Sequence, residues 1–245
     1  MSDIIPVLKG NIAKRTLHFF WIADCSGSMG GRKIAALNQA IREAIPAIKE
    51  ALSAHPEVQI MMRAIKFSDT ASWHVGPEPV PLEEFTWPNL EADGITATAQ
   101  ALHLLADELQ IEKMSKRGYP PVCILLSDGY CTDTVDEYNK AIERINSTPW
   151  GKKAVRLAIG IGDEQEYNEH ELLKFVSHEE IGVLKADSPE KLVSYIKWAS
   201  VAASVGASIG KSRIGTNISE GHHVVLPPPP EEVQLADDIG EDDVF

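Results

Sequence analysis

Residues 21–31, WIADCSGSMGG, end an apolar run in a loop of oxygen-bearing side chains. Asp24, Ser26 and Ser28 stand two apart, so three short oxygen side chains can turn to one side. Asp128 directly follows a second apolar run, 122–127, and Thr96 lies in ADGITATAQAL at the expected start of a helix. Hydroxyls and carboxylates are hard donors, suited to Mg²⁺, with Mn²⁺ or Ca²⁺ as alternatives, rather than to zinc. Mg²⁺ takes six oxygens at roughly 2.1 Å and parts reluctantly with its waters. Neutral hydroxyls in direct contact leave the ion's charge poorly compensated, and carboxylates one water away help to hold it. An acidic group from another molecule can then complete the coordination.

Such loops need a scaffold that brings them together. The runs 17–23, 58–67, 122–127 and 155–161 are almost continuously apolar, as strands covered on both faces are. Helical patterns lie between them, at 32–54, 96–111, 134–147, 168–177 and 189–206. In the first, Ile34, Leu37, Ile41, Ile45, Ile48 and Leu52 form one apolar stripe, and Pro46 is expected to kink or divide the helix. The segment 71–82, ASWHVGPEPVPL, reads as one short edge strand followed by prolines. Alternating strands and helices predict an α/β fold: an open, doubly wound, mostly parallel sheet with helices on both faces. Ligands of such folds sit beyond the carboxyl ends of the strands, where the strand order reverses. The loops carrying Asp24 and Asp128 are of that kind. Residues 1–210 read as the folded domain. Residues 211–245 contain four consecutive prolines and an acidic finish, and are expected to be disordered when alone.

Composition narrows the functional classes. The 245 residues carry a formal charge of −13. Residues 211–245 hold two basic and eight acidic side chains, hence −6, which leaves −7 on the domain. That sign argues against nucleic acid as a partner. No apolar run is long enough to span a membrane, and the first residues lack the layout of a secretion signal. Three cysteines without a CxxC pair fit a reducing, cytoplasmic setting. Enzyme signatures fail: GSMGGRK, residues 27–33, has Arg32 where a phosphate loop needs glycine, and GIGDEQ, 160–165, lacks the last glycine of a dinucleotide fingerprint. No GxSxG elbow surrounds the serines, and the eight histidines show no zinc spacing.

DCSGSMG matches the Asp-x-Ser-x-Ser motif of von Willebrand factor type A domains. Thr96 and Asp128 fall where that family's metal-ion-dependent adhesion site has its threonine and aspartate, and KFSDTA, 66–71, is similar to the pattern after the family's second strand. The resemblance covers roughly residues 14–205 through several motifs in order. It implies direct coordination of Mg²⁺ by Ser26 and Ser28, a direct or water-mediated Thr96, and Asp24 and Asp128 acting through water. It also implies a protein partner that donates an acidic side chain, and so binding rather than catalysis. Within the family the chain resembles the bacterial TerY proteins of tellurite-resistance gene clusters. That implies a stress-response adaptor working with a protein kinase and a metal-dependent, PP2C-type phosphatase. One departure is Gly94-Ile95, where many relatives have two glycines before the threonine.

Plainer readings compete. Ser26 and Ser28 could cap the following helix, Thr96 could cap its own, and Asp128-Gly129 could be an ordinary turn. A Mg²⁺-dependent phosphohydrolase or a metal-independent interaction module are the alternative functions. The acidic side chains of the tail are candidates for the last metal ligand of the same or a neighbouring copy.

Overall fold

The structure is a computed structural model that describes residues 14–128, 131–162, 167–209 and 224–230. Its strands are β1 (Arg15–Asp24), β2 (Val58–Phe67), β3 (Ala71–Pro81), β4 (Val122–Ser127), β5 (Val155–Ile161) and β6 (Val183–Ala186). The helices are α1 (Arg32–Ala51), α2 (Thr98–Glu108), α3 (Val135–Ser147), α4 (Glu169–Phe175) and α5 (Pro189–Ile209). They form one six-stranded sheet in the order β3-β2-β1-β4-β5-β6. All pairings are parallel except that of β2 with the edge strand β3. The doubly wound, mostly parallel α/β architecture is therefore as expected.

Strand β1 shows why the sheet is covered on both sides. Phe19, Trp21 and Ala23 enter the core beneath α1 and α5. Phe20 and Ile22, pointing the other way, enter the core beneath α2, α3 and α4. Side chains alternate across a strand, so an unbroken apolar run requires a layer on each face. After β1 the chain moves outward to β2 and β3, then returns through α2 to β4 on the other side of β1. The order reverses between β1 and β4, and the loops after those two strands flank the crevice this creates.

Four elements differ from expectation. Pro46 lies inside α1, which is not divided there. The edge strand runs eleven residues with Pro77, Pro79 and Pro81 within it; it has a partner on one side only, so a missing N–H need not break the sheet. Strand β6 covers only VLKA, too short for a pattern to be legible. Helix α2 starts at Thr98 with Ala97 as its N-cap, so Thr96 precedes the helix and does not cap it.

Part of the tail is described. Val224 and Leu226 pack against the α5 side of the core, and His178 Nε2 donates to the Val224 carbonyl at 2.7 Å. A Cβ on Gly206 of α5 would come within 2.7 Å of Leu226 Cδ2, which shows how closely this segment approaches the helix. Residues 210–223 and 231–245 lie outside the described residues, and with them the proposed contact between tail and metal site. Among the described residues no helix is long and apolar enough to cross a membrane.

Candidate metal centre

Asp24, the last residue of β1, is 0% exposed. The pairing of Ala23 with Leu126 sets it beside the end of β4. One carboxylate oxygen accepts the Ser26 N–H at 2.8 Å, and the other accepts the Ser127 hydroxyl at 2.6 Å. The Asp24 carboxylate thus shapes its own loop and fastens it to the neighbouring strand. Ser26 is buried and Ser28 exposed, with their hydroxyl oxygens 3.0 Å apart. Ser28 donates to Asp128 Oδ1 at 2.7 Å across 100 positions of sequence. Asp128 is 1% exposed, and its second oxygen accepts from Lys33 Nζ at 3.0 Å.

The third loop is held by its backbone. Gly27 N–H donates to the Gly94 carbonyl and Asp93 N–H to that of Cys25, each at 2.9 Å. Gly94 has a φ of +82°, and a Cβ there would collide with the Asp69 carboxylate. The same carboxylate accepts the Ile95 N–H at 2.8 Å. Ile95 thereby leaves the loop's path intact and its side chain outside, 56% exposed. Thr96 is buried, and its carbonyl accepts from both the amide and the hydroxyl of Thr132 at 2.9 Å. Its own hydroxyl makes no hydrogen bond within the described residues.

Four of the five residues anticipated from sequence are thus joined by hydrogen bonds, and the fifth lies on a loop pinned to them. The capping alternative does not describe the serines. Ser26 precedes the short 3₁₀ turn Gly27–Met29 without a side-chain cap bond, and Gly31 occupies the N-cap of α1. Cys25 points away from the hydroxyls, its thiol donating to the Phe67 carbonyl at 3.3 Å. Burial and the neighbouring Asp24 carboxylate raise its pKa. Lys33 was missed as a site residue. It stands in the first turn of α1, directly after the loop, and that position was the available signal.

Charge is only partly balanced. Two buried carboxylates, Asp24 and Asp128, lie close together, and Lys33 pairs with Asp128. Burial pushes Asp24 up to about 6, the Asp128 charge adds to the rise, and the hydrogen bonds from Ser127 and Ser26 oppose it. A dication would relieve this cost directly. The hydroxyls fit such a role, because a serine O–H can keep donating to a carboxylate while its lone pairs face a cation. The carboxylates would then orient the hydroxyls. Among the described residues no three His, Cys, Asp or Glu side chains gather as a metal cluster. A cation here would depend on hydroxyl oxygens, which favours a hard ion.

No protein-family model matches the chain, and no curated protein sequence does. Its structure does match solved domains of one class. A von Willebrand factor type A protein from Catenulispora acidiphila superposes with a TM-score of 0.57 at 18% identity, over 78% of this chain and 43% of that one. The ArnB paralog VWA2 from Sulfolobus acidocaldarius gives 0.55 at 18%, over 76% and 45%. Proximal thread matrix protein 1 from the mussel byssus, with a zinc-occupied MIDAS motif, gives 0.53 at 16%, over 78% and 46%. At these identities the likeness shows the fold, which is that of a von Willebrand factor type A domain. The chain spans less than half the length of these three structures.

Proposed function

We propose that the protein is a divalent-metal-dependent protein-binding module whose partner supplies an acidic side chain as the last metal ligand. One observation carries the reading: Ser26, Ser28 and Asp128, from two separate loops, present oxygens 2.7–3.0 Å apart along a chain of hydrogen bonds. Asp24 is locked to Ser26 beside them. Ser26, Ser28 and Thr96 would hold the ion, with Asp24 and Asp128 compensating its charge. Mg²⁺ is the ion we favour on the chemistry of the donors.

The surroundings support a protein ligand. Ile95, one residue from Thr96, and Val135, 62% exposed and three residues past Thr132, are among the few large apolar side chains left in solvent. An acidic residue reaching the metal would bring its neighbours against such side chains. Binding is favoured over phosphohydrolysis because, among the described residues, no histidine joins the cluster, and Lys33 is engaged by Asp128. The three cysteines are free thiols, in keeping with a cytoplasmic setting. The narrower assignment, a TerY-like adaptor joining a kinase and a phosphatase in a tellurite or stress response, rests on the sequence resemblance.

The test is capture of partners from native cell extract in Mg²⁺, followed by elution with EDTA. Retention of the same proteins in EDTA, or by Asp24→Ala, would refute metal-dependent binding. Elution of partners other than a kinase or phosphatase would refute only the narrower assignment.

A further inference from the structure

The opposite end of the sheet holds a second set of charges that the metal centre does not use. A groove of about 810 Å³ opens at the amino end of β5. Its walls include Lys152, Lys153 and Arg156 before and within β5, Asn146 at the end of α3, and Lys174 and His178 around the end of α4. Among the described residues, Glu179 is the single acidic side chain of the lining. This basic concentration stands out in a chain of net charge −13.

Arg156 is the informative residue. It is 7% exposed, and its guanidinium donates one hydrogen bond, from Nη1 to Asn146 Oδ1 at 2.8 Å. Its Nε is buried without a hydrogen-bond partner among the described residues. No carboxylate among the described residues lies within ion-pair distance. Cys123 pairs with it in register, but burial pushes that thiol up to about 12, so it stays neutral. Arg63 belongs to the same row of the sheet, through Phe20, and shows the contrast, because Glu108 neutralises it. A buried guanidinium without an anion is costly, and its planar fork suits a two-oxygen contact with an oxyanion. Lys152 and Lys153, both exposed, have no acidic partner among the described residues. Leu173, an exposed apolar side chain, adds a hydrophobic wall.

We infer that this groove is an anion site for a phosphate monoester, with Arg156 as the buried anchor, Lys152 and Lys153 as the outer clamp, and Leu173 against the group that bears the phosphate. Calorimetric titration of the full chain with inorganic phosphate and with phenyl phosphate tests it, in EDTA so that no phosphate is drawn to a metal at the other end. Both probes should bind saturably, phenyl phosphate severalfold more tightly. Replacing both lysines, Lys152→Ala with Lys153→Ala, should weaken each by about tenfold through loss of two nearby charges. These exposed residues can change without touching the core, so the result stands even if Arg156→Gln fails to fold. Leu173→Ser should weaken phenyl phosphate alone, which separates an ester from free phosphate as the occupant. Absence of saturable binding to either probe at millimolar concentration would overturn the proposal, as would equal affinity in the lysine variant.

Discussion

Two buried charge clusters in this domain are built on opposite plans. On the α2 side of the sheet, Arg63 pairs with Glu108, which also accepts from Lys113. His18 closes the group at 3.3 Å from Arg63, and burial beside that guanidinium lowers its pKa to about 4, so it stays neutral. The Arg63 guanidinium also lies 4.3 Å above the Phe20 ring. The buried Arg63 and Glu108 neutralise each other, and the second cation, Lys113, keeps its side chain 53% exposed so that solvent screens it. At the carboxyl ends of β1 and β4, Asp24 and Asp128 lie close together and Lys33 pairs with Asp128, with Ser28 exposed beside them. The buried charges of the first cluster are paired with each other. Among the described residues the second is left one positive charge short, beyond the carboxyl ends of the strands. A buried charge therefore signals function only when its neighbours fail to neutralise it and a ligand can reach it.

Breaking the closed cluster should have the largest effect on stability. Glu108→Ala strands Arg63 beside His18 and is expected to lower unfolding free energy by about 3–5 kcal/mol. Chemical denaturation measures this, and metal affinity of the folded fraction should be unchanged. A loss under about 1 kcal/mol would show that the pair is not the anchor that its burial implies.

The open cluster should respond in the other sense. Asp24 titrates near 6 in the fold against 3.8 ordinarily. A raised carboxyl pKa contributes stability below pH 3.8 that is lost as pH rises through 6, so at pH 7.5 the ionised group costs up to about 3 kcal/mol. Asp24→Asn should stabilise the metal-free protein by about 1–2 kcal/mol, the rest being offset by the poorer match of an amide to the Ser127 hydroxyl. The same variant should lose metal binding. Stabilisation with metal binding retained would remove Asp24 from the site.

Much of this contrast was legible in the sequence, and unevenly so. The open cluster announced itself because its residues are polar at the ends of apolar runs, where nothing in strand patterning calls for them. The closed cluster was invisible because His18, Arg63 and Glu108 sit inside otherwise ordinary strand and helix patterns. Only the register that sets Phe20 beside Arg63 shows what lies near what. Lys33 was hidden for a related reason, since a lysine in a first helical turn usually faces water. Strand β6 was missed because four residues hold too little periodicity, and the edge strand was shortened by prolines that an unpaired edge tolerates. The packing of Val224 and Leu226 against the body could not be read from a proline-rich, acidic composition, because two apolar residues suffice for it once α5 offers Gly206.

Proton competition gives a smaller, graded test of the open cluster. A cation needs the ionised carboxylate, so metal affinity should be nearly flat above pH 7 and fall by about tenfold per pH unit below about 6. Titration calorimetry between pH 8 and 5 follows it, and binding that stays level across that range would mean that Asp24 takes no part.

The finest test concerns Lys33, whose ammonium occupies the charge deficit that a metal would fill. Lys33→Met removes it while keeping most of the side-chain volume. Asp128 then loses a charge-assisted hydrogen bond, which should destabilise the metal-free protein by about 1–2 kcal/mol. The carboxylate also becomes fully available to an incoming cation, so Mg²⁺ should bind several-fold more tightly. The two shifts must have opposite signs if the lysine and the metal compete for the same oxygens. A variant that loses stability and metal affinity together would show instead that Lys33 holds Asp128 in the position the ion requires, and the ammonium would then count as a support of the site.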